Sequence, residues 1–324
     1  MQMRGFGRTG LQVSVLGFGC GAVGGLMVRG APADQERTVA RALAAGINYF
    51  DTAVQYGDGE SEKNLGRILR QLKPANVVVG TKVRLPPGET RIADAIVASL
   101  DASLKRLQMD HVDIFHLHNS VTEDGGGPAL SVRQIMGEVV PAFEKLRERG
   151  KIRFPGLTAI GDTPALHKVI GSGAFASAQV VYNMLNPSAG EALNAAYPAQ
   201  DYGRLFYATT VAGTGTIAIR VLAGGALSGS AERHPIASPP PEPIGSAETY
   251  EGDIDVARRF LPLVAEGHVA SLTEAATRFA ISHKGVGTIL VGIATPQQFE
   301  DALAAVEKGP LPRVALDRIS ALRS

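Results

Sequence analysis

Eight short apolar runs recur along the chain, and stretches with the periodicity of amphipathic helices separate them. The runs are Val15–Gly21, Ile47–Ala53, Val77–Val83, Val112–His118, Ile152–Ala159, Ala178–Asn183, Thr216–Leu222 and Thr288–Ile293. Near-continuous apolar strands alternating with helices are typical of parallel strands that are buried on both faces. Eight such units match a closed (β/α)8 barrel, which takes about 250 residues plus insertions. We therefore predict an α/β fold of the TIM-barrel class, with residues 1–324 forming one domain.

Two further segments complete this prediction. Met3–Phe6 and Leu11–Ser14 are typical of a hairpin around the turn Arg8–Gly10, and we expect this hairpin to plug the bottom of the barrel. Ala223–Glu248 is a proline-rich insertion after the seventh strand, so we expect a long loop over the end of the barrel where the strands finish.

The helices between the strands carry recognisable end signals. The predicted helices are Asp34–Ala45, Glu60–Gln71, Thr90–Leu107, Val132–Arg149, Pro164–Gly171 and Glu191–Tyr207. Asp34 and Ser61 are predicted N-caps, and Gly46 and Gly150 stand where C-terminal glycines belong.

The charge balance excludes several classes of partner. The chain has 32 basic and 31 acidic residues, a net charge of +1, so we expect neither nucleic acid nor a membrane surface as a partner. No run of 18 apolar residues or secretory leader is visible, and Cys20 is the only cysteine, which cannot form an internal disulfide. These features predict a cytoplasmic globular protein, while its oligomeric state stays open.

A glycine motif offers a rival fold. Gly19, Gly21 and Gly24 form a G-x-G-x-x-G sequence after a strand, and Asp51 ends the next strand, as in a dinucleotide-binding Rossmann fold. That fold needs a helix that begins within the glycines and an acid about 20 residues onward. Here the helical pattern begins only near Asp34, and the acid at 51 is 32 positions past the glycine at 19. The glycines therefore indicate a tight loop instead.

His116 and His118 also invite a metal interpretation, because alternate residues of a strand point to the same side. A catalytic zinc ion needs three or four convergent ligands. The neighbouring strands end on Thr158–Ala159, Tyr182–Asn183 and Gly292–Ile293, which supply no such set, and we predict no metal.

Ionisable residues end the second, third and fourth apolar runs, although buried strands have no packing reason to finish on a charge. They are Asp51, Lys82 and His118, and Tyr56 follows Asp51 closely. In a parallel barrel these strand ends meet at one rim, where active sites are built. A lysine ammonium beside a phenol favours the phenolate, a carboxylate holds the lysine charged, and a histidine can bind a substrate oxygen. This set predicts proton exchange with a carbonyl or alcohol, and a nicotinamide cofactor would move the hydride.

The sequence resembles the aldo-keto reductase superfamily over nearly its whole length. The resemblance rests on Asn48–Gly57, Ser61-Glu62, Gly80-Thr81-Lys82, Ser103–Leu107, Gly150–Arg153 and Val291-Gly292. Within the superfamily it looks most similar to the branch of L-galactose and aldose dehydrogenases, partly through Leu104–Ile114 and His234–Pro239. The resemblance assigns the catalytic tetrad to Asp51, Tyr56, Lys82 and His118.

The same resemblance implies the cofactor contacts. NAD(H) or NADP(H) would be bound by Gly21, Ala22, Asp51, Thr158, Gln179, Arg220, Leu222, Gly224, Gly292, Thr295 and Gln298. Three positions depart from the family pattern: Thr158-Ala159 replaces the usual Ser-Asn pair, Ile219 replaces the aromatic residue that stacks on nicotinamide, and Ala294 replaces a basic residue that binds the 2′-phosphate of NADP. The last departure favours NAD or dual use.

The implied activity is interconversion of an aldehyde or sugar carbonyl with an alcohol. An alternative is a cofactor-sensing regulatory subunit, resembling the potassium-channel β-subunits of the same superfamily. The complete tetrad favours the enzyme, and turnover of aldehydes and sugars would separate the two.

Overall fold

Eight parallel strands close into a barrel in the computed structural model, which describes residues 1–194 and 196–323. The hairpin strands are β1 (Met3–Gly5) and β2 (Gln12–Ser14), and the barrel strands are β3 (Leu16–Gly19), β4 (Tyr49–Asp51), β5 (Val78–Val83), β6 (Val112–Leu117), β9 (Ile152–Ala159), β10 (Ser177–Val181), β11 (Gly215–Ile219) and β12 (Thr288–Gly292). Two short strands, β7 (Val121–Thr122) and β8 (Leu130–Ser131), form a separate pair. Strand β12 pairs with β3 and closes the barrel, so the predicted (β/α)8 fold is confirmed.

The strand register brings the predicted rim residues together. Asp51 is opposite Gly80, and Lys82 is opposite His116 on the next strand. Because the strands are parallel, their carboxyl ends share one end of the barrel. The Rossmann alternative is excluded, because the sheet is closed and only a four-residue helix follows the glycine motif.

The N-terminal hairpin plugs the opposite end of the barrel, as predicted. The Phe6 ring is fully buried and packs in the barrel interior with Tyr49, Val78 and Ile114. Gly215 makes this possible, since a β-carbon there would lie 2.7 Å from the Phe6 ring. The hairpin therefore closes one end of the barrel. The cleft lies at the other end, where the carboxyl ends of the strands meet.

Helices surround the barrel between the strands. They are α1 (Leu26–Arg29), α2 (Pro32–Ala44), α3 (Glu60–Leu72), α4 (Ile92–Leu107), α5 (Val132–Gln134), α6 (Val140–Glu148), α7 (Thr163–Gly171), α8 (Leu205–Val211), α9 (Tyr250–Arg258), α10 (Pro262–Ala265), α11 (Leu272–Ser282), α12 (Pro296–Glu307) and α13 (Arg313–Arg323). A π-helical segment, Ile135–Val139, joins α5 to α6. None of the helices in 1–194 and 196–323 is long and apolar enough to cross a membrane.

Two predicted N-caps are wrong. Helix α2 begins at Pro32, whose fixed φ suits a first helical position, so Asp34 lies inside the first turn. Helix α3 begins after Gly59, and Ser61 lies within it, where its hydroxyl donates to the Cys20 carbonyl oxygen over 2.9 Å. The predicted C-terminal glycines are confirmed, because Gly46 and Gly150 have φ of 82° and 68°.

The predicted helix over 191–207 is also wrong, apart from Ala195, which lies outside the described residues. Helix α8 begins only at Leu205. Side chains hold the preceding backbone in an irregular path: Asn186 donates to the carbonyl oxygen of Gln200, and the Gln200 amide donates to the carbonyl oxygen of Gly161. Arg204 has φ of 56°, a left-handed conformation that ends any regular helix before α8.

The insertion after β11 lies over the barrel mouth, as predicted, and we call residues 223–248 the lid. It contains two 3-10 turns, Ala223–Ser228 and Pro235–Ala237. The strand before it ends at Ile219, earlier than predicted, because Arg220 and Ala223 adopt positive φ of 57° and 48°. Arg220 and Leu222 thus lie in a turn instead of a strand.

Candidate active site

A buried ion pair forms the floor of the barrel mouth. Lys82 on β5 places its ammonium nitrogen 2.5 Å from Asp51 Oδ2 and 3.2 Å from the Tyr56 hydroxyl oxygen. The same ammonium donates to the Thr52 carbonyl oxygen over 2.9 Å, so all its protons are used. Asp51 also accepts hydrogen bonds from the Tyr49 hydroxyl and the Gln179 amide, at 3.2 and 2.6 Å. Three of the four residues of the predicted tetrad, Asp51, Tyr56 and Lys82, are therefore joined by the direct hydrogen bonds of Lys82.

Burial and the ion pair set the protonation states. Burial lowers the pKa of Lys82, but the charges of Asp51 and Tyr56 outweigh it, so the pKa lies above its ordinary value. Burial raises the pKa of the Asp51 carboxyl, and its bonds to Lys82, Tyr49 and Gln179 oppose the rise. Lys82 is therefore a permanent cation at neutral pH.

The pKa of Tyr56 differs in direction from the sequence-based expectation. Burial raises the pKa of the phenol, Lys82 lowers it and Asp51 raises it, and the result lies above the ordinary value. Lys82 lowers the pKa of Tyr56, as expected, but burial raises that pKa by more. The phenol is thus protonated at neutral pH and is a proton donor in this form of the protein.

His118, the fourth predicted catalytic residue, lies beside Tyr56. The two rings meet edge to face with their centroids 6.2 Å apart. Burial, together with the charges of Lys82 and Arg84, lowers the pKa of His118 to about 3, so the ring is neutral. Its Nδ1 lies 3.2 Å from Oε1 of Gln55, a residue that the sequence analysis did not single out.

A cleft of about 410 Å³ runs from this floor along the ends of β11 and β12. Most of the predicted cofactor residues line it, namely Gly21, Asp51, Thr158, Gln179, Arg220, Leu222, Gly224, Gly292 and Gln298. Two of the predicted cofactor residues, Thr295 and Ala22, do not line the cleft. The Thr295 hydroxyl caps α12 by accepting from the backbone N–H of Gln298, and the Ala22 carbonyl oxygen accepts from Arg29. The contact of Ala22 and Thr295 with the cofactor therefore stays a prediction.

Gln179 has partners within the protein. Its amide nitrogen donates to Asp51, and its oxygen lies 3.4 Å from the Thr158 hydroxyl. Gln179 also interacts with the Tyr49 hydroxyl, so its amide is held by the buried groups at the floor of the cleft. The cleft also includes residues that the sequence reasoning missed, because they come from the lid, α9, α11 and α12 and carry no local motif: Arg233, Tyr250, Thr277 and Asp301.

Arg220 brings an uncompensated positive charge to the cleft. Its Nη1 donates to the Glu242 carbonyl oxygen over 3.1 Å, and no carboxylate of the described residues lies within ion-pairing distance. Burial lowers the pKa of this guanidinium, which nevertheless stays charged. Asn183 holds the left-handed turn by donating to the Arg220 carbonyl oxygen, and Gly224 leaves room for the side chain, since a β-carbon there would lie 3.3 Å from Arg220 Nη1.

Arginine side chains fasten the lid over the cleft. Arg29 on α1 donates to the carbonyl oxygens of Ala22 and Ile236, both over 2.6 Å, and so links the first barrel loop to the lid. Arg233 donates to the carbonyl oxygens of Gly224 and Ala237 within the lid. Arg29 thus ties the tip of the lid to the first barrel loop, and Arg233 ties the start of the lid to its tip.

Among residues 1–194 and 196–323, no group of three or more histidine, cysteine or acidic side chains is arranged to hold a metal ion. His116 does not share the cleft wall with His118. It is buried in the barrel interior, where Nε2 lies 3.2 Å from the Ser177 hydroxyl.

Comparisons with known proteins agree with this fold and show the family. The Aldo/keto reductase family profile matches residues 15–324. L-galactose dehydrogenase from Arabidopsis thaliana is 31% identical over 313 residues, which cover 94% of this chain and 88% of that protein. Pyridoxal 4-dehydrogenase from Microbacterium luteolum is 26% identical, with 95% and 93% covered, and aflatoxin B1 aldehyde reductase member 2 from Rattus norvegicus is 29% identical, with 85% and 76% covered.

A solved structure shows the same fold. The holo form of an aldo-keto reductase from Bacillus halodurans superimposes with a TM-score of 0.74 at 24% identity, covering 100% of this chain and 97% of that one. Because the family profile spans nearly the whole sequence, the chain belongs to the aldo/keto reductase family of oxidoreductases, which use a nicotinamide cofactor.

Proposed function

We propose that the protein interconverts the carbonyl group of an aldehyde or sugar with an alcohol, and that Tyr56 exchanges the proton. The observation that carries the proposal is the contact of Lys82 with both Asp51 and Tyr56, at 2.5 and 3.2 Å, at the floor of the cleft. This arrangement places one tunable proton donor beside a fixed cation, as general acid–base chemistry on a substrate oxygen requires.

Each residue of the tetrad has a distinct part in this chemistry. Tyr56 donates its proton to the carbonyl oxygen during reduction and accepts one from the alcohol during oxidation. Lys82 stabilises the phenolate that forms, and Asp51 keeps Lys82 charged and in place. His118 is neutral and supplies a hydrogen-bonding nitrogen for the substrate. The nicotinamide cofactor, when bound, supplies or accepts the hydride.

The cleft fits an extended anionic cofactor. Glycines at 21, 224 and 292 keep side chains out of its wall, and Thr158 and Gln298 add polar groups. Arg220 offers a cation without an ion-pair partner among the described residues, which suits a phosphate group. We propose that these residues hold the cofactor, together with Leu222 and Gln179.

We further propose that NAD(H) is used at least as well as NADP(H). Ala294 lines the cleft where family members place a basic residue, and its amide donates to Oε1 of Gln298. Asp301 adds a carboxylate to the same part of the wall, which would repel a 2′-phosphate. The basic residue Arg313 on α13 pairs with Asp317 and does not line the cleft, so it supplies no cation there.

We propose that the substrate is a sugar or a hydroxylated aldehyde. The similarity to an L-galactose dehydrogenase favours a sugar or a hydroxylated aldehyde, and the wall of the cleft is partly polar. A single barrel domain over residues 1–324 and a cytoplasmic location remain predictions from the sequence.

The test is binding of NADH and of NADPH, followed by a screen of aldoses and aldehydes with the preferred cofactor. We expect saturable binding of NADH and turnover of at least one hydroxylated aldehyde or sugar. Cofactor binding without turnover of any of these compounds would instead support the regulatory-subunit alternative.

A further inference from the structure

Tyr49 reaches the ion pair from the interior of the barrel. It stands two residues before Asp51 on β4, and alternate residues of a strand point to the same side, so both side chains face the barrel interior. The Tyr49 ring is fully buried and packs in the small core that includes Phe6 and Val78. Its hydroxyl lies 3.2 Å from Oδ1 of Asp51. Tyr49 thus connects the plugged end of the barrel to the floor of the cleft.

The chemistry of the two groups fixes the direction of this hydrogen bond. A carboxylate only accepts, and burial raises the pKa of the Tyr49 phenol well above its ordinary value, so the phenol keeps its proton and donates it. The Gln179 amide nitrogen donates to the same carboxylate oxygen over 2.6 Å. The other oxygen, Oδ2, accepts from Lys82. Both oxygens of the buried carboxylate therefore have donors, and Tyr49 supplies the one that comes from the barrel interior.

The Tyr49 side chain has little room to move away from Asp51. Phe6 of the hairpin packs against its ring, with the centroids 6.3 Å apart. A β-carbon at Gly17 would lie 2.9 Å from the ring, and one at Gly80 would lie 2.8 Å from the hydroxyl oxygen. Both distances are shorter than an ordinary contact, so the two glycines leave space for this side chain. A phenylalanine would fill the same core, and packing alone therefore does not require the hydroxyl.

We infer that Tyr49 is a positioning residue whose hydroxyl keeps the Asp51 carboxylate charged and in contact with Lys82. A buried carboxylate that loses a hydrogen bond is protonated more easily. Once Asp51 is neutral, Lys82 lacks its counter-ion, and the cation beside Tyr56 is no longer held in place. The hairpin that plugs the barrel then supports the ion pair through the contact of Phe6 with Tyr49. The inference rests on the proposed function only for its effect on turnover.

The pKa of Asp51 is measured without turnover. Carbon NMR of protein labelled at the aspartate carboxyl groups follows the titration, and Asp51→Asn identifies the signal by its loss. We expect Tyr49→Phe to raise the pKa of Asp51 by about one unit, because a hydrogen bond to a charged group is worth about tenfold or more in an equilibrium constant. Tyr197→Phe is the matched control and should leave this pKa unchanged, since the Tyr197 hydroxyl donates to the Leu185 carbonyl oxygen outside the cleft.

Gly80→Ala tests the same contact with the phenol still present. The added methyl group would displace the Tyr49 hydroxyl, so the pKa of Asp51 should rise in this variant too. Gly137→Ala is its control, because nothing lies within 4 Å of a β-carbon added there. The inference is overturned if the pKa of Asp51 is the same in Tyr49→Phe and in the unmodified protein. If Tyr49→Phe does not fold, Gly80→Ala decides by the same criterion.

The pH profile of carbonyl reduction tests the consequence for the chemistry. As the pH falls through the pKa of Asp51, the carboxylate is protonated and kcat should decline. In Tyr49→Phe this decline should begin at higher pH, with little change of kcat above it. An equal loss of kcat at every pH would mean that Tyr49 only fills the core, and it would overturn the positioning role. If the unmodified protein reduces no aldehyde or sugar with either cofactor, the proposed function fails, and the pKa of Asp51 alone decides the role of Tyr49.

Discussion

The ammonium of Lys82 lies 2.5 Å from the carboxylate of Asp51, and neither side chain has more than a few per cent of its surface exposed. Burying two charges is costly unless each is paired and hydrogen-bonded, and here further bonds from Tyr49 and Gln179 complete the arrangement. The third partner of Lys82 is the Tyr56 hydroxyl. The fold therefore holds a charge pair in its interior, and the phenol beside it faces the cleft.

Replacing the phenol should stop the chemistry and spare the binding of the cofactor. For Tyr56→Phe we expect kcat to fall by about 10²- to 10⁴-fold, the usual contribution of a general acid, while the Kd of NADH changes by less than about threefold. Steady-state kinetics and fluorescence titration measure the two quantities. Tyr207→Phe, at a side chain that is 72% exposed, is the control. Retention of more than about a tenth of kcat would remove Tyr56 from the mechanism.

Removing the cation should shift the pH profile of alcohol oxidation. Lys82 lowers the pKa of Tyr56, so its loss raises that pKa further, and the phenolate needed for oxidation forms only at higher pH. For Lys82→Met we therefore expect the limb of the kcat profile that rises with pH to move to higher pH. Lys63→Met removes an exposed charge of the same kind on α3 and should leave the limb in place. If this limb lies at the same pH in Lys82→Met and in the unmodified protein, Lys82 does not set the pKa of the phenol.

Loosening the lid should speed the exchange of the cofactor. Arg29 bridges the carbonyl oxygens of Ala22 and Ile236, so Arg29→Ala removes the link between the lid and the first barrel loop. We expect faster dissociation of NADH in stopped-flow displacement and faster proteolysis within residues 229–248. Arg37→Ala, at an exposed position of α2, is the matched control. Equal dissociation rates in the two variants would mean that the lid is held by its other contacts.

Adding a cation to the cleft should change the choice of cofactor. Ala294→Arg restores the charge that family members carry there, and one charge-assisted hydrogen bond is worth roughly 1.5–3 kcal/mol, about ten- to a hundredfold in Kd. We expect tighter binding of NADPH with little change for NADH. Ala304→Arg adds the same charge to an exposed position of α12 outside the cleft and should change neither. If the unmodified protein already prefers NADPH by a hundredfold, another residue binds the 2′-phosphate.

The strand positions and the tetrad were predictable because both follow from local chemistry. Parallel strands that are buried on two faces need continuous apolar runs. Ionisable residues at the ends of such strands, here Asp51, Lys82 and His118, are typical of an active site. The glycines at 46 and 150 were predictable for the same reason, since a left-handed residue after a helix is most easily a glycine.

The contacts that decide the chemistry needed the tertiary structure. The pKa of Tyr56 depends on how deeply the fold buries the phenol. Lys82 lowers this pKa, and only the positions of Tyr56 and Lys82 in the structure show that burial has the larger effect. The partners of Gln55, Arg29 and Gln179 lie 63, 207 and 128 residues away in sequence. Sequence alone therefore determined which residues form the barrel strands and predicted which ionisable residues meet at its rim, because periodicity and strand ends are local. Only the tertiary structure decided burial, hydrogen-bond partners and the enclosure of the cleft, because these arise where distant segments meet.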